Sequence, residues 1–172
     1  AAKALYIKSK ILYMEGRYDE AEALVREGIR LFGSSALVWD SRYELASIYA
    51  KKNMTGEAID QFMAVRNGSE DPEAVAAALS RIGDIYLSKN DYRSASESFD
   101  AVLAKYPDAK VSDHAQYELG NIFLNTGLYV QASLAYQSVL ANFPQSALKD
   151  KASAQLATAS FLSNDFARAI SG

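Results

Sequence analysis

Five positions in the chain fall in step: Gly16, Asn53, Asn90, Gly127 and Asn164, each thirty-seven residues after the last. Gly and Asn enter the left-handed backbone conformation at least cost, and that conformation stops a helix and turns the chain back. Five such residues in register predict five helix ends, and so a fold built from one reiterated unit. The same counting aligns further columns. Ser9, Ala46, Gly83, Gly120 and Ala157 are always small; Ala21, Ala58, Ala95, Ala132 and Ala169 never vary; Val25, Phe62, Phe99 and Tyr136 are always branched or large. The segments "NDYRSASESFDAVLAKYP" and "GLYVQASLAYQSVLANFP" are two copies of one phrase.

Each unit therefore reads as a helix A, a turn at Gly or Asn, and a helix B running back. Runs such as "AVAAALSRIGDIYLS" carry apolar side chains at spacings of three and four, and no stretch alternates as a strand would. The small columns let two helix backbones approach, and the large column fills the space beside them. A residue just after the turn (Tyr18, Tyr92, Tyr129 and Phe166, with Thr55 in the second copy) is expected to pack where the helices diverge. Helix B closes at "KYP" or "NFP", because proline cannot continue a helix and disfavours helical geometry in the residue before it. The second copy has "RNGSEDPE" instead: Asn67-Gly68 end one helix, and Asp71 and Pro72 are the N-cap and first residue of the next. Trp39, at the opening of the second helix A, is expected to pack on the preceding helix B.

Leu119-Gly120, Phe123, Ala132, Tyr136 and Pro144, and likewise Ile82-Gly83, Tyr86, Ala95, Phe99 and Pro107, match the skeleton of the tetratricopeptide repeat. The resemblance covers the whole chain, with copies near 2–38, 39–75, 76–112 and 113–149 and a partial fifth from 150 to 172. It implies an all-α fold, a right-handed α-solenoid of antiparallel helix pairs, with helix A lining the concave surface. It also implies a non-enzymatic scaffold that binds a protein or peptide. The family's usual period is about 34 residues, and here the extra length falls between repeats. Long units of this kind resemble repeats of bacterial envelope proteins, which favours a periplasmic or envelope location over the cytoplasm.

Several function classes are disfavoured by what the chain lacks. The formal net charge is −3 with acids and bases mixed, so the basic stripe of a nucleic-acid binder is missing. No apolar run could cross a bilayer, and no cysteine is available for a disulfide or a thiolate metal site. The only histidine, His114, has no second histidine or cysteine to share a metal or drive a nucleophile, and reads as a solvated surface imidazole. Glycine-rich phosphate loops are absent, so neither a cofactor nor catalysis is expected.

The candidate binding surface is the face of each helix A that the apolar columns leave over. It comprises Lys3, Tyr6, Lys10 and Tyr13; Asp40, Tyr43 and Ser47; Ala77, Ser80 and Asp84; His114, Tyr117, Asn121 and Asn125; then Lys151, Ala154 and Thr158. Tyr6, Tyr43 and Tyr117 share one column, which suggests a groove with three aligned phenols. A bound segment would lay side chains between the rings while Lys10, Ser47 and Asn121 hold its backbone. The alternative is that these rings pad the junction between helices; on the groove reading, Tyr43→Ala or Tyr117→Ala weakens capture and leaves melting nearly intact. The Lys and Asn spacing of chaperone-tail receptors in the family is not matched.

On helix B of the fourth copy, Val130 and Leu134 occupy columns that are mostly polar elsewhere. Either they form an outer contact patch, or Leu134 rotates into the inward place that Ser133 leaves. Neither terminus reads as a polar cap: Leu156, Phe161, Leu162 and Phe166 call for a cover, so self-association through terminal repeats is a further expectation.

Overall fold

The computed structural model describes residues 2–35 and 37–171, with side chains through residue 164. Nine α-helices and no strand occur among the described residues, and the chain divides into two compact units, Ala1–Lys89 and Asn90–Gly172. The first unit holds α1 (Ala2–Met14), α2 (Tyr18–Phe32), α3 (Val38–Lys51), α4 (Thr55–Gly68) and α5 (Pro72–Ser88). The second holds α6 (Tyr92–Lys105), α7 (Ser112–Asn125), α8 (Tyr129–Asn142) and α9 (Lys149–Ser171).

The repeating column makes the turns. Gly16, Asn53, Asn90 and Gly127 all have positive φ, at 76°, 61°, 58° and 77°. The next residue's N–H reaches back over the turn: Arg17 donates to the Leu12 carbonyl at 2.9 Å, Met54 to Tyr49 at 2.9 Å and Leu128 to Phe123 at 2.8 Å. This six-to-one bond is the Schellman closure, which satisfies a helix-end carbonyl. Where the joined helices pack, α1 on α2, α3 on α4 and α7 on α8, so short a turn makes them run antiparallel.

The fifth expected stop is not made. Helix α9 runs from Lys149 to Ser171 with no break at Asn164. Asparagine permits the left-handed conformation without imposing it, and a continuing helix gains one backbone hydrogen bond for each residue it fixes. The small column reflects the difference: Ser9, Ala46, Gly83 and Gly120 are buried, whereas Ala157 is exposed. The side chains of Phe166 and Ala169 lie outside the described residues.

Elsewhere the columns build the core. In the first unit Ala21, Val25, Ala46, Ala58 and Phe62 belong to one buried cluster, with Tyr13, Tyr18 and Tyr43 packed against it. In the second, Ala132, Tyr136, Val139, Ala152 and Ala159 are buried, with Tyr117, Phe123 and Leu156 against them. Gly120 shows why its column must be small, since a Cβ there would stand 2.5 Å from Cε1 of the buried Tyr136 ring. Asp71 caps α5 by accepting from the Glu73 N–H at 3.0 Å, with Pro72 at the first helical position, as the sequence predicts. Trp39 departs from expectation: its ring lies against Gly68 at the end of the following helix α4, while the sequence pointed to the preceding one. Only a residue without a side chain leaves room for an indole there.

Candidate functional site

Three residues of the expected groove converge in the first unit. Tyr13 from α1, Ser47 from α3 and Asp84 from α5 line one open cleft of about 360 Å³. Its floor is apolar, made by the rings of Phe62 and Tyr13 with Ile85, and Phe62 is only 1% exposed. Its lip carries Lys51, Arg81 and Ser88.

Helical spacing explains the arrangement. Arg81, Asp84, Ile85 and Ser88 are three and four residues apart on α5 and share a face. The sequence reading placed this face one residue earlier, on Ala77, Ser80 and Asp84; Ser80 is in fact buried at 3% exposure. Lys51, Arg81 and Ser88 line the cleft although the sequence pattern does not single them out; for Arg81 and Ser88 the signal is their helical spacing to Ile85. The Arg81 Nε donates to the Tyr43 hydroxyl at 3.4 Å, and its Nη1 lies 3.4 Å from Asp84 Oδ2. Burial works against the guanidinium charge, but Tyr43 and Asp84 outweigh it and hold the group above its ordinary value. Burial likewise pushes the Tyr13 hydroxyl up, with Tyr18 adding to the effect.

The tyrosines are half-buried, so each is at once packing and surface. Tyr43 meets Phe62 edge-on with ring centroids 5.1 Å apart, and Tyr117 tilts against Tyr136 at 5.7 Å. Truncating either ring removes core packing, so neither substitution separates capture from folding as the sequence reading expected. Tyr6 faces Leu24, Val25 and Phe32 around a void of only about 10 Å³, and exposed Lys10 has its ammonium 5.4 Å from the Tyr6 ring. Lys3 is exposed; Lys3, Tyr6 and Lys10 form no wall of the cleft. Ser47 and Ser88 spend their protons on their own helices, on the Tyr43 carbonyl at 2.9 Å and the Ile85 carbonyl at 2.7 Å.

In the second unit, Asn121 is committed to the fold. Its Oδ1 accepts from the Tyr136 hydroxyl at 2.7 Å and its Nδ2 donates to Glu118 at 3.0 Å. Burial drives the Tyr136 hydroxyl well above the ordinary tyrosine range, with Tyr117 and Glu118 contributing. His114 is half-buried rather than fully solvated: its ring stands edge-on to Phe99 at 6.0 Å and its Nδ1 lies 3.9 Å from Glu118. Asn125 and Thr158 are exposed, and the Thr158 hydroxyl donates to the Ala154 carbonyl at 3.2 Å.

Val130 and Leu134 are each 58% exposed. Ser133 keeps the inward place, its hydroxyl 3.4 Å from that of Ser160 on α9. Leu134 has not rotated into that place. Phe161 is also exposed, whereas Leu156 is packed and Leu162 half-buried. Among the described residues no three His, Asp or Glu side chains converge as a metal site would need, and no helix is long and apolar enough to cross a membrane.

A family model for the tetratricopeptide repeat matches residues 8–72 and 80–147. No curated protein matches the chain in sequence. Solved structures share its fold. A tetratricopeptide repeat protein from Parabacteroides merdae superposes with a TM-score of 0.75 at 16% identity, over 97% of this chain and 67% of that one. BtubC (BKLC) from P. vanneervenii gives 0.79 at 15% identity, over 98% and 75%. YrrB, described as a TPR protein with an unusual peptide-binding site, gives 0.65 at 18% identity, over 92% and 76%. The chain is thus an all-α helical-repeat solenoid.

Proposed function

The chain belongs to the tetratricopeptide repeat family, and from that premise we propose that it is a non-enzymatic scaffold holding a peptide segment of a partner protein in the cleft of its first unit. The observation that carries this reading is the convergence of α1, α3 and α5 on one open, apolar-floored cleft with polar groups at its lip. Pockets of this make-up are the usual seats of ligands. On this reading the copies run near 2–38, 39–75, 76–112 and 113–149, and the segment from 150 forms a single unreturned helix.

Photo-cross-linking tests the seat. A benzoyl-phenylalanine at Ser88, on the cleft lip, is expected to trap a discrete partner in cells that carry the protein. The same group at Glu97, an exposed position on α6, is expected to trap none. Equal trapping at both positions, or at neither, would contradict the reading.

A second reading, a self-associating assembly scaffold, is favoured by exposed Val130 and Leu134. Two large apolar side chains one helical turn apart on a solvent face are a contact signal. It predicts mass above the monomer in light scattering that Leu134→Glu abolishes; a clean monomer at high concentration argues against it.

A further inference from the structure

Helix α1 is apolar on two faces. On the inward one Ser9 and Leu12 are buried, with Leu5, Tyr6 and Tyr13 half-buried beside them. The opposite face of a surface helix is normally polar, yet Ala4, Ile7, Ile11 and Met14 run along its middle at spacings of three, four and three. Ile7 is 48% exposed, Ile11 51% and Met14 83%. We infer that this seam, separate from the cleft, is a docking site for an amphipathic helix of a partner protein whose flanks are acidic.

Comparison along the columns sets the seam apart from an ordinary repeat face. Ile7 and Met14 stand where later copies are polar: Glu44, Arg81 and Glu118 in one column, Lys51, Ser88 and Asn125 in the other. Ile11 heads a column of isoleucines, Ile48, Ile85 and Ile122, each buried in its own copy. Lys8 stands where the copies bury Leu45, Ile82 and Leu119. The face is thus no uncovered duplicate of the surface on which repeats stack, because apolar and charged positions have been exchanged on it.

Charge says what covers it. Positions 4, 7, 11 and 14 repeat as the a and d places of two heptads, the narrow seam that takes another helix. The flanking e and g places are Lys3, Lys8 and Lys10, with Glu15 just past the helix end, and all are exposed. Glu15 is already engaged by Arg17 at 3.1 Å, so the flanks are basic. Glutamates at the facing places of a partner helix pair with those lysines. A second copy docked seam to seam would bring lysine against lysine. A helix that lies on a membrane buries a broad face of aromatic and leucine side chains, which this seam lacks.

The test uses anisotropy titration and amide-shift mapping with three-heptad peptides that carry leucine at a and d and either glutamate or lysine at e and g. The acidic peptide is expected to shift the amides of residues 2–15. It should bind about tenfold tighter than the basic one, since three exposed charge pairs turn from attractive to repulsive. Ile7→Glu combined with Met14→Glu should abolish binding with melting unchanged. Lys3→Glu, Lys8→Glu and Lys10→Glu together should invert the preference. Ser88→Trp, which fills the cleft, should leave binding unchanged, so failure of the seam and failure of the cleft are told apart. Short peptides do not read the seam, because isolated helices under about 12–15 residues are marginal in water. No binding of the acidic peptide at millimolar concentration, equal binding of the two, shifts centred away from α1, or binding that survives the seam variant would overturn the proposal. So would seam-dependent binding to phosphatidylserine vesicles that exceeds peptide binding, which assigns the face to lipid, or seam-dependent mass above the monomer, which assigns it to a second copy.

Discussion

Glu44 illustrates how much a single buried atom can decide. It is 7% exposed, and its Oε2 has no hydrogen-bond partner. Its Oε1 lies 2.9 Å from the Ser9 hydroxyl, which also lies 2.7 Å from the Tyr6 carbonyl. A hydroxyl has one proton, and a carbonyl only accepts. Both contacts are satisfied together when Glu44 is protonated, donating to Ser9 while Ser9 donates to Tyr6. Burial pushes the Glu44 carboxyl up to about 6, with Ser9 and Lys10 opposing. A carboxyl whose value is higher folded than unfolded binds more protons in the native state, so its charge weakens the fold as pH rises through that window. The wild type should gain about 1–2 kcal/mol relative to Glu44→Gln between pH 7 and 4.5, since one pKa unit is worth about 1.4 kcal/mol and the unfolded carboxyl is itself half protonated at the lower pH. Urea melts at both pH values check this; a constant difference would mean that Glu44 does not titrate there. Gly120 makes a simpler prediction. Gly120→Ala drives a methyl into the fixed Tyr136 ring and should cost about 1–3 kcal/mol in a urea melt, with part recovered by pairing it with Tyr136→Val. The small column was plain in the sequence, but which atom each small residue accommodates was not. Arg81 escapes the sequence pattern for a related reason: one residue is about 100° around a helix, so Ser80 is buried while its neighbour Arg81 lines the cleft with Asp84.

At the scale of elements, the turn column separates positions of equal appearance. Asn90 has φ 58°, and Asn164 lies inside α9. Asn90→Ala should destabilise by about 1 kcal/mol, because alanine resists the left-handed conformation. Asn164→Ala should stabilise by about 0.5 kcal/mol or leave the protein unchanged, because alanine is the better helix former. Thermal melts of the two variants settle whether the fifth stop exists; equal losses would restore it. The first four stops were legible because a hairpin needs both a permissive residue and a returning helix with its alanine and large columns, and both were written. At Asn164 the sequence goes on with Phe166 and Ala169 of the same columns, yet α9 continues through it, and Ala157, in the column that helix pairs bury elsewhere, is exposed. Trp39 was misdirected for want of one fact, that Gly68 is helical and leaves a ring-sized space on α4.

For the molecule as a whole, repetition explains the fold, and departures from repetition mark the places to look for function. The large column is buried core, and its Phe62 also floors the cleft. The cleft of the first unit combines residues from three columns, Ser47 and Asp84 from one and Tyr13 and Arg81 from two others, so no single column announces it. Peptide-display selection against the intact chain tests the central claim without a partner in hand. Selected peptides should compete with one another, lose binding to a Ser88→Trp variant whose melting is unchanged, and keep binding to Leu134→Glu. Peptides that bind the blocked variant as well as the wild type would contradict the account.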